Sequence, residues 1–144
     1  MYKRILVPIY GLENFEVSLA PVAEIAQKID AEVILLYVAS FICHFTYDAP
    51  VGLKESCRID EKEYEFAAAL LDKVQNELSS EGISISTVIQ PTHNPLTGII
   101  SFIKNNQVDL VAFANTERHN KRFFQRTLSE KLISAGLNVS ILVI

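Results

Sequence analysis

Two groups of residues in this chain have side chains that could do chemistry. Arg118, Arg122 and Arg126 recur every four residues, with Lys121 beside them. On a helix they would form one basic stripe, able to hold a phosphate or an acidic partner through charge-assisted hydrogen bonds. A solvated helix face is the plainer reading, and Glu130, four residues beyond Arg126, favours it. Cys43, His44 and Cys57 carry metal-ligand chemistry, but their spacing is not that of a zinc site and a fourth partner is missing. No metal is therefore expected. The two cysteines fit free thiols better than a disulfide framework. His93 and His119 fall in predicted loops at strand ends, where α/β clefts open, although surface histidines are the stronger expectation. There is no Gly-x-Ser-x-Gly, Walker loop or Rossmann fingerprint. Nothing orients Ser129, Glu130 and His119 as nucleophile and base. An enzyme is not expected.

The basic stripe follows a telling junction. Residues 110–114, Leu-Val-Ala-Phe-Ala, read as a buried strand, and a polar loop then feeds a helix over Arg122 to Ala135. A strand, a loop and a helix N-terminus in that order is where an α/β protein holds a phosphate. Glycines in such a loop permit positive φ and close approach of backbone N–H groups to the anion. Here Gly98 is the last glycine before the junction and Gly136 the first after it.

The remaining elements set this junction in a frame. Short apolar runs over Lys3–Ile9, Ala31–Val38 and Ser140–Ile144 are continuous rather than alternating, as in parallel strands covered on both faces. Pro8 cannot donate to a ladder, so the first strand should end near it. Ile83–Ile89 alternates, as an edge strand would. Helical periodicity covers Phe15–Ile29, with Asn14 as a cap and Pro21 marking either the start or a kink. It returns from Asp60 to about Ser79, with Glu63 at the capping-box position. Asn94-Pro95 opens another helix that includes Leu96, Ile99, Ile100 and Ile103. Residues 39–59 are the irregular stretch, a long loop of the kind that is often functional. Strict alternation of strand and helix predicts a parallel sheet with helices on both faces.

Composition narrows the function classes. With 49% apolar and 21% charged residues over 144 positions, the chain is expected to be one domain, residues 1–144, with an ordinary soluble core. A net charge of −4 argues against a nucleic-acid partner. No apolar run approaches the ~20 residues of a membrane span. The opening Met1-Tyr2-Lys3-Arg4 enters a strand with no leader pattern, so a cytoplasmic location is expected.

Several segments together resemble a universal stress protein domain. They are Lys3-Arg4-Ile5-Leu6-Val7-Pro8-Ile9, the Ala31–Val38 strand, Asp109-Leu110-Val111, and Ser129-Glu130-Lys131-Leu132-Ile133 ahead of Val139–Ile144. The resemblance spans the whole chain in order. It implies an adenine-nucleotide α-hydrolase-like three-layer fold, a five-stranded parallel sheet ordered 3-2-1-4-5, and a homodimer paired through the last strand, Ser140, Ile141, Leu142, Val143 and Ile144. Nucleotide-binding members carry an Asp just after the first strand, where this chain has Tyr10, and a loop written Gly-x2-Gly-x9-Gly-Ser. Aligned from the strand, the first two glycines fall on Ala114 and Glu117; aligned from the helix, the Gly-Ser pair falls on Arg126 and Thr127. Eight residues, 118 to 125, separate Glu117 from Arg126, one fewer than the motif. Only Thr127 keeps a matching hydroxyl. The resemblance thus implies the subgroup without the ATP loop: a stress-response regulatory module with no cofactor and an unidentified protein partner. The alternative is an ATP- or AMP-binding switch with a degenerate loop, its cleft formed by Ile9, Tyr10, Val38, Ala114, Glu117, Arg126 and Thr127.

Overall fold

The computed structural model describes residues 3–10, 20–79, 82–113 and 119–143. In chain order the elements are β1 (Arg4–Tyr10), α1 (Ala20–Ile29), β2 (Glu32–Asp48), β3 (Gly52–Ile59), α2 (Glu61–Ser79), β4 (Ile85–Thr92), α3 (Pro95–Asn106), β5 (Leu110–Phe113), α4 (His119–Ser134) and β6 (Ser140–Val143). Five strands form a parallel sheet ordered β4-β2-β1-β5-β6. This is the expected 3-2-1-4-5 order once β3, which the sequence reading did not include, is set aside.

The continuous apolar strands are buried on both faces, as read. Ile5, Val7, Ile9, Val33, Leu35 and Tyr37 face one core with Val22, Ala23 and Ala26 of α1 and Ala67, Leu71, Val74 and Leu78 of α2. Leu6, Ile34, Leu36, Val38 and Val111 face the other, with Ile99, Phe102 and Ile103 of α3 and Leu132 of α4. Alternate side chains thus enter opposite layers, the period-2 geometry of a strand, and two helices cover each face.

Helix starts follow local capping chemistry. Asp60 Oδ1 accepts from the Lys62 N–H at 3.0 Å and caps α2. Asn94 Oδ1 accepts from the Leu96 N–H at 3.0 Å and caps α3, with Pro95 in the first turn. α1 is described from Ala20, with Pro21 near that end, and the residues before it, where a start would be told from a kink, lie outside the described residues. Asn14 lies outside the described residues. Glu63 is turned to another use: its Oε1 accepts from Tyr37 Oη at 3.4 Å.

Three boundaries differ from expectation for physical reasons. β1 runs through Pro8 to Tyr10. Lys3 O accepts from Glu32 on the β2 side and Arg4 O from Asp109 on the β5 side, so odd residues of β1 face β2 and even ones face β5. Pro8 therefore points toward β5, and the β1–β5 ladder ends at Leu6↔Val111, where the next rung would need the N–H that proline lacks. The odd residues keep β1 paired with β2 through Tyr10, so the strand itself continues. α4 is described from His119 and so already includes residues before the expected Arg122. The largest departure is residues 39–59. The expected long loop is instead an antiparallel arm, with β2 continuing beyond the sheet to pair with β3 from Phe41↔Ile59 to Asp48↔Gly52. The expected free thiols are a Cys43–Cys57 disulfide across that arm.

Candidate functional site at the carboxyl edge of the sheet

The amino edge of the sheet is sewn shut by polar side chains. Asp109 Oδ2 accepts from the Lys3 N–H at 2.8 Å and the Arg4 N–H at 3.1 Å, and these backbone donors hold the carboxyl below its usual range. Arg4 Nη1 donates to Asn106 O at 2.6 Å, and its Nε lies 3.7 Å from Glu32. Ser86 Oγ donates to Glu32 at 2.6 Å. One polar chain thus joins α3, β1, β2 and β4. A depression of about 650 Å³ beside it is lined by residues such as Lys3, Ala31, Glu32 and Ser84. It lies at the opposite end of the strands from where ligands enter this architecture.

The carboxyl ends of the strands form the other edge. β1 pairs with β2 along its whole length, to Tyr10↔Val38, and its ladder with β5 runs to Leu6↔Val111, where Pro8 has no N–H to give to the next rung. The strand order reverses between β1 and β5, the point at which open α/β sheets receive ligands. Backbone polar groups of Pro8 and Tyr10 turn toward the β5 side there. Ile9 and Val38 reach the edge but are buried, 2% and 3% exposed, in opposite cores. They offer backbone there, not side chains.

The other candidate residues are distributed around this edge. Tyr10 ends β1. Ala114, Glu117 and Arg118 lie outside the described residues, as does Ile144. Arg126 is exposed, and its Nε donates to Glu130 at 3.3 Å, an i,i+4 pair on an outer helix face. Thr127 is half-buried. Because α4 includes His119, Arg126 and Thr127 sit in its interior, roughly 10 Å beyond His119 along the axis at 1.5 Å per residue. Backbone N–H groups at that depth are used within the helix, not presented to an anion.

The arm adds chemistry beside the edge. Phe41, Cys43, Phe45 and Tyr47 alternate onto one face, opposite Ile59, Cys57, Glu55 and Leu53. Phe45, Tyr47 and Leu53 are 67%, 74% and 75% exposed. The other face carries His44, Thr46, Lys54, Ser56 and Arg58. His44 thus points away from Cys43, and the histidine that meets the cysteines is His93, from the turn after β4. The signal for this was available: every pair in the arm is symmetric about Pro50, including Cys43 and Cys57. Beneath the arm, burial and the Glu63 carboxylate push the Tyr37 hydroxyl up to about 12.

The comparisons with known proteins agree with this geometry. No curated protein sequence matches the chain. Among solved structures, the fold is similar to a universal stress protein family member from Burkholderia pseudomallei, at 16% identity and a TM-score of 0.65, covering 99% of this chain and 96% of that one. It is similar to the universal stress protein from Archaeoglobus fulgidus in complex with dAMP, at 15% identity and TM-score 0.65, covering 99% and 98%. It is also similar to an Arabidopsis thaliana family protein with AMP bound, at 16% identity and TM-score 0.56, covering 98% and 91%. The universal stress protein family model matches residues 1–139. With that match over a parallel sheet of the expected order, the chain belongs to the universal stress protein family.

Proposed function

We propose that this chain is a non-enzymatic regulatory module of the stress response that works by protein contact, as a cytoplasmic homodimer, and does not hold ATP as the family's nucleotide binders do. The single observation that carries this reading is the arm. It exposes Phe45, Tyr47, Val51 and Leu53 on a sheet extension that only β3 pairs with among the described residues. Contiguous exposed apolar surface on a soluble domain marks an interaction site. Two features weigh against the family's mode of phosphate binding. Tyr10 stands where a carboxylate would accept ribose hydroxyls or help hold a metal, and Arg126 and Thr127 lie within α4 rather than at its start. Dimerisation would use β6, which pairs on one side with β5 and whose other edge has no partner strand among the described residues.

A second reading rests on a specific feature, the reversal of strand order between β1 and β5. An adenine nucleotide could enter there, as dAMP and AMP are bound by the Archaeoglobus and Arabidopsis proteins. The two readings separate on one experiment. Protein purified without added ligand is denatured, and the supernatant is assayed for adenine nucleotide by chromatography. The proposal expects none above background. A stoichiometric amount would reject it in favour of the nucleotide switch.

A further inference from the structure

We propose that Cys43, Cys57 and His93 form a binding site for a thiophilic divalent cation, Zn²⁺ foremost, when the cysteine pair is reduced. One donor atom from each of the three residues lies within 4.8 Å of the other two. A tetrahedral zinc, with Zn–S of about 2.3 Å and Zn–N of about 2.0 Å, sets its donors roughly 3.5–3.8 Å apart. Side-chain rotation covers that difference once the S–S bond is open. Two thiolates and one imidazole are a donor set suited to zinc.

The surroundings build this cluster as a site. Cys43 and Cys57 are directly opposed in the arm, with Cα atoms 4.1 Å apart, so their side chains leave the same face together. His93 is held by a turn with several constraints. Thr92 Oγ1 accepts from the Asn94 N–H at 3.3 Å and donates to Asn94 O at 3.0 Å. Gly98 packs so closely that an added Cβ would lie 3.2 Å from the Thr92 side chain. The Phe41 ring packs against the His93 ring at a tilt of 41°, with centroids 4.8 Å apart. Cys57 and His93 are exposed and Cys43 half-buried, so an ion has access. Glu55 Oε1 lies 3.3 Å from Cys57 Sγ, within reach of the fourth position or of a water held there.

Disulfide and metal exclude one another. A dithiol reductant supplies two electrons, becoming a disulfide itself, and Cys43 and Cys57 become two thiols. Binding of the cation then releases both thiol protons to solvent. The metal would join β2 and β3 of the arm to the β4–α3 turn, a tie to the sheet that the disulfide alone does not make. The proposal is independent of what the carboxyl edge of the sheet holds.

The test uses the full chain with Co²⁺ as the spectroscopic probe and Zn²⁺ as competitor. The protein is reduced with a non-chelating phosphine, and the thiols are counted before titration. Reduced wild type should bind cobalt stoichiometrically, with thiolate-to-metal charge-transfer and tetrahedral d–d bands that zinc abolishes. Oxidised protein should show neither. His93→Gln should weaken binding at least tenfold and change the d–d bands, while His44→Gln, on the opposite face, should leave both unchanged. Circular dichroism checks that each variant folds. The proposal fails if reduced wild type shows no charge-transfer band. It also fails if His93→Gln binds as wild type does, because the thiolates would then act alone. Native cysteines that resist reduction would overturn it too, since the site would never exist.

Discussion

Asp109→Asn tests whether the amino edge of the sheet is held by charge. The Asp109 carboxylate accepts two backbone N–H groups, from Lys3 at 2.8 Å and Arg4 at 3.1 Å, and so fixes the start of β1 beside β5. Asparagine can still accept through its one carbonyl oxygen, so the substitution removes charge assistance more than geometry. Charge-assisted bonds contribute about 1.5–3 kcal/mol and neutral ones about 0.5–1.5. The difference over two bonds is roughly 2 kcal/mol, and solvent screening at this half-exposed site reduces it to about 1 kcal/mol. The sign with pH follows from the depressed carboxyl. A group held below its unfolded value stabilises above that value, about 3.9 for Asp, and loses the contribution as pH falls through the folded one. Urea unfolding of both proteins should therefore show a gap of about 1 kcal/mol near neutral pH, narrowing below about pH 4. Equal stability near neutrality would refute the staple. A gap of the same size in acid would refute the role of charge.

Other outcomes follow from the same coordinates. Tyr37 has its hydroxyl pushed up to about 12, so its neutral form stabilises the fold fully below the unfolded value of about 10 and this is lost as pH rises through the folded one. Tyr37→Phe should show a shallower alkaline loss of stability than wild type; parallel alkaline limbs in denaturant titrations would contradict the assignment. Gly98→Ala gains about 1 kcal/mol of helix propensity but forces a Cβ to 3.2 Å from Thr92, and overpacking costs about 1–3 kcal/mol. A lower melting temperature is expected, and a stabilised variant would show that Thr92 yields freely. Ser140 N donates to the O of Asp109, the residue before β5, so alternation turns the Ile141 N–H to the open edge. Ile141→Pro should therefore remove an outward donor while sparing the β5 ladder, and convert the proposed dimer to monomer by light scattering; a variant that remains dimeric would place the interface elsewhere.

The parallel sheet and its helices were legible because burial on both faces leaves a strong trace. Runs such as Val33–Val38 have no polar side to show, and caps such as Asp60 and Asn94 act through neighbours a few residues away. Pro8 misled because its missing donor faces β5 and interrupts only that ladder, while the odd residues keep β1 paired with β2 through Tyr10. The arm was missed for a different reason. Its alternation of Phe41, Cys43, Phe45 and Tyr47 is visible, but Phe45 and Tyr47 face solvent and none of the four enters a core, so apolar periodicity pointed to no packed partner. The cysteine pairing depended on recognising the hairpin centred on Pro50. His93 joins the cysteines only through tertiary structure, since β4 lies beside β2 in the sheet. His44, adjacent in sequence, was the wrong histidine because neighbouring residues in a strand point to opposite faces.

The central claim is that this member of the family does not bind adenine nucleotide in the family's manner. Calorimetric titration with ATP and AMP, with and without Mg²⁺, tests it most directly, with thermal unfolding followed in parallel. The account predicts no binding heat and no change in melting temperature up to millimolar ligand. A ligand at 100 times its dissociation constant stabilises a fold by about 2.7 kcal/mol. A shift of that order, lost in Arg126→Ala, would contradict the account and make the arginine face a phosphate site.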